Sequence, residues 1–181
     1  MTKPIAPIVA TALAISATSL ALAFPRAGDV RPNAPLRDAW DRTSEVAQFG
    51  AKPTLVVYED KDSATMNKAF KAELAELAKG DRYKDRILLL AVADVGGYDY
   101  WPVRGFVKDA IQDESRKQNT VIYCDWDGSF RKAFGLVRGT SNIVFYGRDG
   151  RLRFAHAGAL SANQRKSLIA HLRTEAEEPA K

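Results

Sequence analysis

The chain has 181 residues, a net charge of +5, and hydrophobic, aromatic and charged fractions of 46, 9 and 27%, which suits one soluble domain large enough for a real core. Its basic residues are scattered among acidic ones, which argues against a nucleic-acid partner. The single cysteine excludes an internal disulfide and any two-cysteine redox cycle within the chain.

In chain order, residues 1–23 carry Lys3 as their only charge, an Ala-rich apolar run from Ile5 to Leu22, and the small-x-small pattern Ala21-Leu22-Ala23 before Phe24. That is a secretory signal peptide, and it makes the mature protein periplasmic or secreted. Left uncleaved, the run is just long enough to anchor the chain in a membrane. Removal of Lys3 leaves 26 Lys and Arg against 22 Asp and Glu, a net of +4. Residues 24–35, with three prolines, read as a linker or an extended arm. The domain proper is residues 36–174. Its first part, Leu36 to Gly50, reads as irregular with one short strand, a strand pair or a helix start being the alternatives.

Thr54 to Tyr58 is β-branched, apolar or aromatic and suits a strand covered on both faces. Asp62 and Ser63 are good helix caps, and Met66, Phe70, Leu74 and Leu77 then fall on one helical face. Gly80-Asp81 breaks that pattern, and Ile87 to Val92 is a second buried run, giving a βαβ crossover with parallel strands. The segment Asp94 to Trp101 holds three aromatics that either cap the core or line a pocket. Pro102 is placed as a first helical residue, ahead of an apolar face of Val103, Phe106, Val107, Ala110 and Ile111. Thr120 to Cys124 is a third strand, ended by Asp125-Trp126-Asp127-Gly128. A short helix carries Phe130, Ala133 and Phe134. Asn142 to Tyr146 and Leu152 to Ala155 flank an Asp-Gly turn and read as a hairpin. Ser161 with Gln164 is a capping box for a final helix that buries Leu168, Ile169 and Leu172. Residues 175–181 read as a frayed tail.

This order, with the wording KPTLVVYED, VIYCDWDGSFRKAFGL and RGTSNIVFYGRDGRL, resembles the thioredoxin fold as elaborated in peroxiredoxins and periplasmic TlpA-type thiol proteins. Within that superfamily the end of the chain is most similar to the YtfJ-like family of exported proteins. The resemblance implies an α/β, thioredoxin-like three-layer α/β/α sandwich with a mixed central sheet and a C-terminal β-hairpin plus helix. It also locates two departures. The C-x-x-C position is occupied by Ser63-Ala64-Thr65-Met66, and the cis-proline position falls on Ser141, where a cis bond would cost several kcal/mol. A disulfide exchanger needs a thiolate at the helix start and a second sulfur to release the mixed disulfide, so thiol catalysis is not carried over.

No catalytic residue is expected at this degenerate redox position. Cys124, near the end of a strand, reads as a buried structural thiol, with a reactive sensor or an intermolecular disulfide as the alternative. Glu59, Asp60 and Asp62 read as capping and dipole-compensating carboxylates rather than metal ligands, and no metal or cofactor is expected. Ser63 as a nucleophile would need a base, and neither His156 nor His171 is expected at that loop. The function implied is a non-redox binding or accessory protein, probed through Asp60, Asp62, Ser63, Tyr98, Trp101 and Ser141 on the loops 60–65, 98–101 and 138–142. Its partner would be a protein or a small molecule, with neither nucleic acid nor a membrane span after signal cleavage. The alternative is an atypical single-cysteine peroxidase or thiol oxidoreductase acting through Cys124.

Overall fold

The computed structural model describes residues 24–79 and 85–177. The signal peptide read at residues 1–23, the break at Gly80-Asp81 and the end of the chain beyond Glu177 lie outside the described residues. Five strands form the main sheet: β3 (Thr54–Glu59), β4 (Leu88–Asp94), β5 (Ile122–Asp125), β6 (Asn142–Tyr146) and β7 (Leu152–Ala157), in the order β5-β4-β3-β6-β7. β3, β4 and β5 run parallel, while β6 and β7 are antiparallel to their neighbours. The helices are α1 (Lys68–Ala78), α2 (Val103–Gln118), the single turn α3 (Ser129–Ala133) and α4 (Ala162–Glu177).

Alternation along the central strands divides the core in two. Leu55, Val57, Ile143 and Phe145 face one side and meet Phe70 of α1 and Leu168 and Leu172 of α4. Val56, Tyr58, Val144 and Tyr146 face the other and meet Phe130 and Phe134 around α3. Strands buried on both faces read as unbroken apolar runs, which is why β3 and β6 are so legible.

The second face is completed by a short hairpin, β1 (Pro35–Arg37) with β2 (Thr43–Glu45). This corrects the expectation of irregular structure with one strand. Its turn is organised by the buried Asp38 carboxylate, which accepts from the Trp40 and Arg42 amides and from Arg42 Nε at 2.6–3.0 Å. Local sequence gave no sign that Asp38 would be buried beneath its own turn. Residues 24–35 form a docked arm: Val30 bridges Arg151, and the Arg31 guanidinium donates to Lys52 O, Gly50 O and Thr54 Oγ1.

Three helical expectations shift. α1 starts at Lys68, after a run of turns, so Asp62 and Ser63 do not cap it and Met66 is exposed. Pro102 precedes α2 rather than opening it, and the inward residues are Val103, Val107 and Ile111 at strict i, i+4, i+8 spacing. Phe106 therefore points outward, 70% exposed, and Ala110 is exposed as well. The expected fraying from residue 175 does not occur at Glu175. It is helical and buried, and it accepts hydrogen bonds from the Arg148 amide and Arg153 Nε.

Candidate functional site

The parallel strands β3 and β4 end together, Glu59 opposite Ala93, and β6 starts beside them, Asn142 opposite Tyr58. The loops after β3 and β4 and the loop before β6 consequently emerge at one end of the sheet, where α/β proteins usually hold their ligands.

Two of the three loops are tied together below the surface. Glu59, at the last position of β3, accepts from the Ser141 hydroxyl at 2.7 Å and from Lys71 Nζ at 2.7 Å. The Asn67 amide donates to Ser141 Oγ at 2.9 Å and to Gly158 O at 3.0 Å, and its oxygen accepts from the Leu160 amide at 2.8 Å. Lys71 also reaches Ala64 O at 2.5 Å. Ser141 is 0% exposed, and Asn67 is buried with it. The peptides flanking Ser141 are trans; Trp101–Pro102 is the one cis bond among the described residues. A buried polar group must find partners, and here each hydroxyl and amide of the network has one.

Ser63 is buried too and bonds only within its own turn. Asp60 Oδ1 accepts from the Ser63 amide at 2.8 Å and its hydroxyl at 2.7 Å, and the Asp60 amide donates to Ser63 Oγ at 3.0 Å. Burial raises the Asp60 pKa, but these donors outweigh it and hold the carboxyl below the usual range. The closed turn explains why α1 starts late: Ser63 spends its hydroxyl on Asp60 rather than on a helix amide. His156 is engaged elsewhere, with Ala159 O and the Gln164 amide, so no imidazole serves Ser63.

On the outer surface lie Asp62, Tyr100 and above all Trp101, which is 92% exposed. Tyr98 instead packs inward with Val95, Val107 and Trp126. Among the described residues no hydrogen bond or ring contact joins residues 98–101 to the other two loops. Of the six residues singled out from the sequence, Ser63 and Ser141 therefore belong to the closed interior, Asp60 and Tyr98 are half-buried, and Asp62 and Trp101 are presented outward. Asn67 and Lys71 went unnoticed, although a carboxylate closing a buried strand, Glu59, signals that partners must be nearby.

Cys124 lies on β5, two strands away from β3 and the start of α1. It is 6% exposed, and burial, reinforced by Asp38 and Asp41, pushes its thiol up to about 12. Next to it Asp125 is buried, accepting from Tyr58 OH at 3.1 Å and from the Phe130 and Arg131 amides at 3.2 and 3.0 Å. Burial raises the Asp125 pKa more than those donors lower it. Burial likewise raises Tyr58, with Asp125 and Asp94 adding to the effect. Among the described residues no His, Cys, Asp and Glu side chains converge in a group of three suited to a metal.

A family model described as "Bacterial protein of unknown function (YtfJ_HI0045)" matches residues 60–175. The chain belongs to this YtfJ family. No curated protein matches it. Among solved structures, the YtfJ chain is similar to the exposed lipoprotein thioredoxin of Streptococcus pneumoniae, at 18% identity and a TM-score of 0.58 over 78% of this chain and 98% of that one. It is also similar to a peroxiredoxin-like protein from Aquifex aeolicus, at 9% identity and a TM-score of 0.58 over 82% and 88%. The thiol peroxidase from Chromobacterium violaceum matches at 14% identity and a TM-score of 0.57 over 86% and 90%. The fold is thioredoxin-like, with the mixed sheet and closing hairpin and helix that the sequence implied. No helix among the described residues is long and apolar enough to cross a membrane.

Proposed function

We propose that this YtfJ-family protein is an exported thioredoxin-fold binding protein that works without thiol chemistry. The observation that carries this reading is the closed Glu59–Ser141–Asn67 network, tied to Lys71, at the place where thioredoxin relatives expose a thiolate and a cis-proline. A reactive site needs a nucleophile open to substrate and a group to activate it. Ser63 and Ser141 are buried in internal bonds, and the one cysteine is buried on another strand. The surface left over is a docking face, with Asp62 and Trp101 as its exposed side chains, for a protein or small-molecule partner. Export rests on the composition of residues 1–23.

The purified protein is expected to neither reduce insulin nor consume peroxide above the buffer rate, and Cys124→Ser is expected to change nothing. Activity abolished by that substitution would overturn the reading in favour of a single-cysteine enzyme. Docking is tested by pull-down from the native envelope fraction. A partner retained by the wild type and lost when Asp62 and Trp101 are replaced together supports it. Capture indifferent to those changes counts against the loop face.

A further inference from the structure

The cleft beside β5 shares only Asp99 with the three loops. This cleft has a volume of about 450 Å³, with one wall from the β1–β2 hairpin and the other from the carboxyl ends of β4 and β5. That is within the range of roughly 300–1,000 Å³ typical of small-molecule sites. Both signs of charge line it. Arg37 and Arg104 are there, and so are Glu45, Asp99 and Asp127, with the Ser44 hydroxyl among them. Arg104 is ion-paired to Asp99, and Asp127 holds the Ser129 amide at 2.9 Å. The Arg37 side chain makes no hydrogen bond among the described residues, so part of the lining is left with capacity to spare.

This mixture disfavours a ligand charged with one sign only, and an apolar one. A small anion drawn to the guanidiniums meets carboxylates on the same walls, and a small cation drawn to the carboxylates meets two guanidiniums. An apolar ligand would strip water from all of these groups and give nothing back. A neutral polyhydroxyl compound fits both signs, because each hydroxyl donates to a carboxylate and accepts from a guanidinium.

A second observation is independent of the charges. Trp126, which lines the cleft, is nine-tenths buried, and its indole N–H has no acceptor among the described residues. The Arg104 guanidinium stacks over its ring, 4.5 Å from the centroid. Buried indole N–H groups usually find a partner. An entering ligand oxygen is the acceptor this one lacks, reached once the side chains closed over it give way.

We propose that the cleft between the β1–β2 hairpin and the ends of β4 and β5 binds a neutral saccharide, its hydroxyls shared between Arg37 and Glu45 at the hairpin wall and an oxygen offered to Trp126. Arg37 and Trp126 belong to none of the three loops, so this site stands or falls separately from the docking face.

The test is a titration of the full chain with cellobiose, maltose and diacetylchitobiose as neutral sugars, citrate as anion and spermidine as cation, read by calorimetry and by the indole N–H resonance of Trp126. Saturable binding of at least one neutral sugar, with a shift of that resonance, is expected, and neither charged probe should compete. Trp126→Phe keeps an aromatic ring, though a smaller one, and removes the donor; it should weaken sugar binding about fivefold, the worth of one net hydrogen bond. Arg37→Ala, an exposed change that leaves the core intact, should weaken it by a similar factor and covers the case in which the Trp126 variant misfolds. The proposal is overturned if no neutral sugar saturates, if citrate or spermidine binds instead, or if sugar affinity is the same in Arg37→Ala as in the wild type.

Discussion

Ionisation of Cys124 is opposed from two directions. Burial among Ala39, Val95 and Trp126 removes solvent from the thiolate, and the carboxylates of Asp38 and Asp41 repel it. With the thiol pushed up to about 12, only a vanishing thiolate fraction exists at pH 8. Native protein should therefore react with a chromogenic disulfide reagent at pH 8 far more slowly than protein in concentrated urea, which should label fully within minutes. Prompt labelling of the native state would show that the site is open. Asp125 supplies a second residue-level prediction. Burial raises its folded pKa above the ordinary value of 3.8, so the protonated form is the one the fold prefers. Its contribution to stability is then complete below that value and is lost as pH rises through the folded pKa. Asp125→Asn can accept from only one of the Phe130 and Arg131 amides, which bond different oxygens of the carboxylate, and it cannot ionise. Urea midpoints measured from pH 3.5 to 7 should show wild type losing ground to the variant with rising pH; a constant gap would refute the assignment.

At the scale of elements, the turn before α1 and the loop before β6 are held by one side chain. Asn67→Ala removes the partners of Ser141 Oγ, Gly158 O and the Leu160 amide at once. Leaving buried polar groups unpaired should cost about 2–3 kcal/mol, read from urea unfolding with an unchanged slope. A loss under about 0.5 kcal/mol would mean that the network contributes little. Phe70→Ala, which empties the contact between α1 and the sheet, should cost about 3–5 kcal/mol. These elements also show what the sequence disclosed. The Ser161–Gln164 box at the start of α4 was legible because both of its bonds are local, 2.9 and 3.3 Å across three residues. The start of α1 was not, because Ser63 is claimed by Asp60 and Asn67 is committed to residues more than seventy positions away. The face of α2 was misphased for a related reason. Phe106 looks like a core residue by type, and only the packed position of Val103, Val107 and Ile111 shows that it lies outside.

Across the whole molecule, the succession of strands along the chain, the parallel β3–β4 crossover and the β6–β7 hairpin followed from apolar runs and one Asp-Gly turn, since doubly covered strands tolerate few polar residues. The β1–β2 hairpin was missed because it has three-residue strands and a turn set by the burial of Asp38. The candidate site was half legible. The absence of thiols at the redox position was plain in the sequence, but the hydrogen bonds that replace them depend on contacts between distant segments. Amide exchange should rank the sheet by position: slowest in β3, which has partners on both sides and core on both faces, and fastest in β7, whose outer edge is paired, among the described residues, only near Arg151 and Leu152. Equal protection in the two would contradict the packing. The docked arm has one more consequence. Arg31 is fastened beside Gly50, Lys52 and Thr54, and residues 28–31 run along the β6–β7 turn, which is the pole of the sheet opposite Asp62 and Ser141. A tether applied ahead of the arm would hold the domain by its base and leave the loops that carry Asp62 and Ser141 pointing into free space, so a sensor chip coupled through the amino end is the orientation that leaves the proposed docking face unobstructed.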